Sequence, residues 1–231
     1  MKRLALLFTT VGMLWPLCRA ASIPEPLGLQ QILAHMEERD RVRFASLPHY
    51  VCLRRYSLDN KRFHKSAEIS VRMTYDYPGH KTFQVISESG LSVIRQRVLR
   101  KMLEAEEEAS RDGVRETTYI WRRNYYFRLA GQDQIQGRPA YVLEIKPRVV
   151  SKFLIRGRIW LDCEDYAIVR VEASPAQKPS ALIHNVQVVQ QYEKVGPAWL
   201  PLYNHSMSES FWFGRTDVAI DSSDYRITQA N

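Results

Sequence analysis

The chain has 231 residues, of which 33 are Lys or Arg and 25 are Asp or Glu, with 45% apolar and 11% aromatic side chains. That length suits one large domain or two small ones, and the apolar share supports a packed core. A collagenous, disordered or multi-span membrane chain is excluded.

Met1, Lys2 and Arg3 form a basic start, Leu4 to Leu17 is mostly apolar, and Cys18-Arg19-Ala20 offers a cleavage point, the pattern of a secretory signal spanning residues 1–20. An apolar run of 14 residues makes a helix of about 21 Å, shorter than a hydrocarbon core of about 30 Å. An uncleaved anchor is the competing reading. Lipid attachment at Cys18 is set aside because Trp15, Pro16 and Leu17 stand where such a site needs small residues. Cleavage near Ala20 leaves residues 21–231 as one domain with 30 basic and 25 acidic residues, a net charge of +5. Its basic clusters, Arg95 to Lys101 and Arg122-Arg123, read as solvated faces, so nucleic acid is not an expected partner.

Leu29, Ile32, Leu33 and Met36 recur at helical spacing, which predicts an amphipathic helix over 28–46, ended by Pro48. From Tyr50 the period becomes two. Over Glu68 to Tyr77, Ile69, Val71, Met73, Tyr75 and Tyr77 alternate with polar residues, predicting a half-buried strand. Pro78-Gly79 turns it into a second strand carrying Phe83 and Val85. Gly90 opens a second helix with Leu91, Ile94, Val98 and Met102 on one stripe, followed by an acidic run, Glu104 and Glu106 to Glu108, expected on a solvated face. This helix would pack as core or cover a cavity.

From residue 115 onward strand follows strand: 115–129, 140–146, 153–162, 166–173, 183–194, 199–209 and 215–227. They are separated by turn signals at Gly131, Gly137-Arg138-Pro139, Glu164-Asp165, Pro175 to Pro179, Gly196-Pro197 and Gly214. Short turns imply antiparallel meander connections, because parallel pairs need long crossovers. The expected class is α+β, mainly β: one long, curled antiparallel sheet with two helices.

Cys52 and Cys163 remain in the exported chain, and a bridge between them would close a loop of about a hundred residues, worth roughly 4–5 kcal/mol in the chain-entropy model. The alternative is two buried, unreactive thiols. None of the six histidines has a second at zinc-site spacing, and two cysteines do not make a zinc site. No G-x-S-x-G, P-loop or dinucleotide glycine pattern occurs. No catalytic residue, metal or cofactor is therefore assigned, and the chain reads as non-enzymatic.

Aromatic residues are the informative feature. Tyr119, Trp121, Tyr125 and Phe127 are expected on one face of a single strand, with Tyr141 and Trp160 on the next two. Large rings of this kind fill a sheet's core, or line an apolar groove left where a strongly curved sheet is covered by only two helices. On the second account Trp121, Tyr125, Phe127, Tyr141 and Trp160 are the candidate ligand contacts.

The segments Asn124 to Leu129, Gly137 to Pro147, Gly157 to Asp162, Asp165 to Glu172, Gly196 to Pro201 and Ser223 to Arg226 form a series. It resembles the bacterial outer-membrane lipoprotein-sorting proteins of the LolA/LolB-like superfamily, over roughly residues 48–228. More narrowly, it looks like an exported branch of that superfamily. The resemblance implies an unclosed antiparallel β half-barrel whose concave side, capped by helices, shelters acyl chains in the periplasm. The motifs belong to the framework, so no functional residue is carried over from the family. Three functions follow as expectations. The first is a periplasmic carrier of a lipid or lipidated protein that touches membranes only transiently. The second is an envelope module that binds a partner protein without lipid. The third is an exported hydrolase with a dispersed active site.

Overall fold

The computed structural model describes residues 27–47, 49–178 and 182–228, so the expected signal segment lies outside the described residues. Helix α1 spans Leu29–Ser46 and strand β1 His49–Asn60. Strands β2, Lys65–Asp76, and β3, His80–Gly90, complete a three-strand unit. A second helix, α2, runs unbroken over 92–110, and a one-turn helix, α3, occupies Arg115–Thr118. Seven strands follow: β4 Tyr125–Ile135, β5 Arg138–Pro147, β6 Ile155–Asp162, β7 Ile168–Pro175, β8 Ile183–Val195, β9 Ala198–Ser210 and β10 Gly214–Thr228.

All ten strands form one antiparallel sheet in the order β3-β2-β1-β10-β9-β8-β7-β6-β5-β4. The β1–β10 pairing joins the amino-terminal unit to the meander, and β3 and β4 remain as open edges. The sheet is a half-barrel, curled but not closed, with its helices on the concave side. Alternation sets which side chains face inward. On β1 the buried positions are Tyr50, Cys52, Arg54, Tyr56, Leu58 and Asn60; on β2 they are Ala67, Ile69, Val71, Met73 and Tyr75.

The two long helices cover different parts of this surface. Ile32, Leu33 and Met36 of α1 pack on Tyr125, Leu143, Ile145, Ile159, Leu161, Val171 and Ala173 of β4 to β7. Each fully buried aliphatic side chain contributes about 2 kcal/mol of transfer free energy. Leu99 and Leu103 of α2 pack on Tyr56, Leu58, Ile69 and Val71 of β1 and β2. Between the covers, the inward positions of β8 to β10 are Gln190, Asn204, Ser206, Val218 and Ile220, all half-buried.

Four expectations need correction. Residues 115–124 are not strand: a helical turn and a tight turn hold Tyr119 and Trp121 ahead of β4. Gly131 does not end a strand but sits at a bulge inside β4, where the register shifts between Leu129 and Gly131. Within α2, residues 95–99 form a π-turn, whose extra residue moves the inward stripe from Val98 to Leu99 and Leu103, leaving Val98 37% exposed. Cys52 and Cys163 carry free thiols; Cys52 is on β1 and Cys163 follows β6, with β10, β9, β8 and β7 between those strands in the sheet. Gly90 does open α2 as expected. Its φ is +78°, and a Cβ there would fall 2.3 Å from the Ser66 carbonyl oxygen.

Candidate ligand cavity

Where α1, α2 and the 115–121 segment meet over the inner ends of β1, β2 and β9, the concave side is not filled. A cavity of about 400 Å³ remains. Its apolar wall includes Phe44, Leu47, Tyr50, Tyr75, Tyr119, Trp121, Ile168, Trp199 and Leu200. The rings pack against one another: Tyr119 lies 5.2 Å from Phe44 and 4.7 Å from Trp121, and Tyr50 stacks on Tyr75 at 4.7 Å. Burial pushes the Tyr75 hydroxyl up to about 12, and the same cause raises Tyr50 further. These phenols are neutral at physiological pH.

Carboxylates of α1 fix the wall built by residues 119–122. Glu37 accepts from the Arg122 backbone N–H at 2.7 Å and from its Nη2 at 2.8 Å. Burial alone would raise the Glu37 pKa, but the hydrogen bonds and charge of Arg122 hold it below the ordinary value. Asp40 accepts the Trp121 indole N–H at 3.1 Å and pairs with Arg43. Burial outweighs both partners and pushes the Asp40 carboxyl up. Arg43 also donates to the backbone carbonyls of Asp165 at 2.8 Å and Tyr166 at 3.0 Å, tying the end of α1 to the β6–β7 turn.

The α2 side of the cavity is polar underneath. Glu106, expected in solvent, turns inward: it accepts from Arg54 Nη1 at 2.6 Å, Lys81 Nζ at 2.8 Å and the Tyr56 hydroxyl at 2.9 Å. Desolvation opposes its charge, yet Arg54 and Lys81 together hold its carboxyl far below the usual range. Each charged side chain on the cavity wall has an ion-pair partner: Asp40 with Arg43, Lys81 with Glu106, which Arg54 shares, and Arg115 with Asp112, the last lying just outside the wall.

Of the five rings singled out in the sequence, Trp121 lines this cavity. Tyr125 is fully buried beneath α1, where its hydroxyl accepts the Ile155 N–H at 3.1 Å. Phe127 and Tyr141 pack at the edge of the same core. Trp160 projects from the opposite face of the sheet, between Ile159 and Leu161, in a cluster with Ala140 and Val169; its indole donates to Asp133 at 3.0 Å. The hollow is therefore built from rings at the strand ends, on α1 and in the turn ahead of β4; of the rings between residues 119 and 160, Tyr119 and Trp121 line it. Tyr75 stood out in the β2 alternation, but nothing local marks Phe44, Leu47 or Trp199 as wall, because three distant segments bring them together.

Solved structures share the architecture. The chain is similar to a DUF1329 family protein from Desulfovibrio piger, with a TM-score of 0.51 and 15% identity over 86% of this chain and 92% of that one. It is also similar to a domain assigned to outer membrane lipoprotein sorting from Vibrio parahaemolyticus, with a TM-score of 0.45 and 13% identity over 87% and 94%. A LolA superfamily protein from Nitrosomonas europaea gives a TM-score of 0.43 and 14% identity over 89% and 96%. No family model and no curated protein matches the sequence. At such identities the likeness is one of fold, an open antiparallel half-barrel.

Proposed function

We propose that the protein is an exported, non-enzymatic carrier that shelters an acyl chain of a lipid or lipidated protein in the cavity between α1 and α2, with Trp121 among its contacts. One observation carries this: the wall is aromatic and aliphatic, while the charges on it are already matched. A site for a free anion or cation needs an uncompensated partner; an apolar tail does not. A volume of about 400 Å³ lies within the range of about 300–1,000 Å³ typical of small-ligand sites. An exported setting agrees with the signal expected over residues 1–20.

Native mass spectrometry of residues 21–231, followed by titration of the delipidated protein with a fluorescent fatty acid, tests the reading. Co-purifying lipid and saturable uptake are expected, with uptake lost in Ala109→Trp, which fills the cavity from α2. No bound lipid and no saturable uptake overturn the proposal. The competing reading, a module for a partner protein, draws on the open edge strands, where Val85, Ile86, Tyr126 and Leu129 are exposed. Recovery of one protein partner without lipid selects it.

A further inference from the structure

The far ends of the same strands carry a second feature. Asn60 of β1 pairs with Lys65 of β2 and Thr216 of β10, and Ile183 of β8 pairs with Ser210 of β9. The β1–β2 and β9–β10 turns therefore sit side by side, with the start of β8 next to them. The β9–β10 turn presents three consecutive large rings, Phe211, Trp212 and Phe213, at 76%, 62% and 54% exposure. Phe63 on the neighbouring turn is 50% exposed, and Leu182 is exposed beside them.

The turn itself asks for none of this. A three-residue hairpin connection needs one residue in the left-handed region, and Gly214 supplies it with φ +62°. Four exposed rings in one patch are a cost in water unless something covers them. The tip is also built rather than loose. Asn60 Nδ2 donates to the Phe213 carbonyl and to Thr216 Oγ1, both at 2.8 Å, and Asn60 Oδ1 accepts from the Phe63 N–H at 3.0 Å. Arg62 Nη1 donates to the Phe211 carbonyl at 2.9 Å while its guanidinium lies 5.8 Å from the Phe63 ring centre. Phe211 and Trp212 meet edge to face at 5.3 Å. The charges around the tip are sorted. Asp59 is held by Lys61, Asp217 by Arg215, and Glu209 by Asn185, whereas Arg62 and Lys65 face no acidic partner among the described residues.

We propose that this tip is a membrane-docking element: Phe211, Trp212, Phe213 and Phe63 seat in the interfacial layer of a bilayer, with Arg62 and Lys65 against anionic headgroups. Trp and Phe suit that layer because a large apolar ring gains from the acyl boundary while the indole N–H keeps a polar partner. The two cations add attraction to a negative surface. The cavity lies at the opposite ends of β1 and β9, roughly 30 Å away at about 3.3 Å per residue. Docking thus holds the protein on a membrane with its cavity turned away, and it does not depend on what the cavity holds.

The test is flotation of residues 21–231 with vesicles of phosphatidylcholine, alone or with phosphatidylglycerol. Strong partitioning onto the anionic vesicles is expected, with quenching of Trp212 by brominated lipid that Trp212→Phe removes. Replacing Phe211, Trp212 and Phe213 by Ser should lower partitioning roughly tenfold or more, since binding scales with buried apolar area. Lys65→Glu should lower it less and remove part of the preference for phosphatidylglycerol. An unchanged thermal melt and unchanged fatty-acid uptake show that the variants fold. Equal vesicle binding by the triple-Ser variant overturns the proposal. So does absence of binding to either vesicle, or a tip needed only for self-association in sedimentation.

Discussion

Helix α1 covers β4 to β7 with Ile32, Leu33 and Met36 pressed onto an aliphatic floor, and its carboxylates Glu37 and Asp40 act at the rim. Helix α2 covers β1 to β3 with fewer fully buried apolar residues, and its Glu106 meets an arginine that rises from the strand floor itself, Arg54, only 4% exposed. An apolar contact loses stability in proportion to the surface it loses. A buried charge cluster does not: desolvation is offset only while every partner is present. The α2 half is accordingly the more brittle of the two.

Removing the centre of that cluster should have the largest effect. Glu106→Ala leaves Arg54 buried without its counter-charge, a loss of about 3–5 kcal/mol in urea unfolding. A loss below about 1 kcal/mol would show that the cluster carries no net weight. Acid sharpens the contrast. Glu106 is held below its ordinary value of 4.5, so its contribution is complete above that pH and disappears as pH falls toward the folded-state value. Glu37, Asp162 and Asp165 are lowered and act in the same sense, while Asp40, pushed up by burial, acts in the opposite one. Glu106→Gln should therefore flatten, without abolishing, the decline of stability below pH 4.5. Equal slopes for variant and parent would remove Glu106 from the account.

The π-turn offers a smaller and more local break in the comparison. Leu99→Ala should cost about 2–5 kcal/mol as a core truncation, whereas Val98→Ala should stay within about 0.5 kcal/mol because Val98 is half in solvent. A regular helix would reverse the two. α1 has no such insertion, and truncating Met36 there should cost what an ordinary core methionine costs, about 2–5 kcal/mol.

The same contrast explains what was legible in the sequence. Strand periodicity and turn chemistry are local, so β2, the β5 to β10 meander and α1 stand where their residues place them. The half-barrel followed from their antiparallel order and the framework resemblance. The π-turn was not legible, because Leu91, Ile94, Val98 and Met102 fit a regular stripe and only the packing on β1 and β2 selects the inserted residue. Glu106 was hidden for a related reason. Its acidic run looks like solvated surface unless Arg54, 52 residues earlier, is known to face it. Trp121 was expected on a strand but is held by turns ahead of β4 and by side chains of α1.

Trp121 gives a small predicted change and the most direct link between the two covers. Its indole N–H reaches Asp40 on α1, its ring packs at a tilt against Tyr119, and both rings line the cavity whose far wall is α2. Trp121→Phe keeps most of the apolar surface but removes the donor, leaving Asp40 with Arg43 alone, so stability should fall by about 1 kcal/mol. Asp40→Asn should cost a similar amount in the Trp121→Phe background and more in the parent, because the two residues share one hydrogen bond. If the indole positions the cavity wall, fatty-acid uptake should weaken several-fold in Trp121→Phe while urea unfolding moves only slightly. A loss of uptake that merely tracks lost stability would return Trp121 to the core and leave the cavity's specificity with Tyr50, Tyr75 and Trp199.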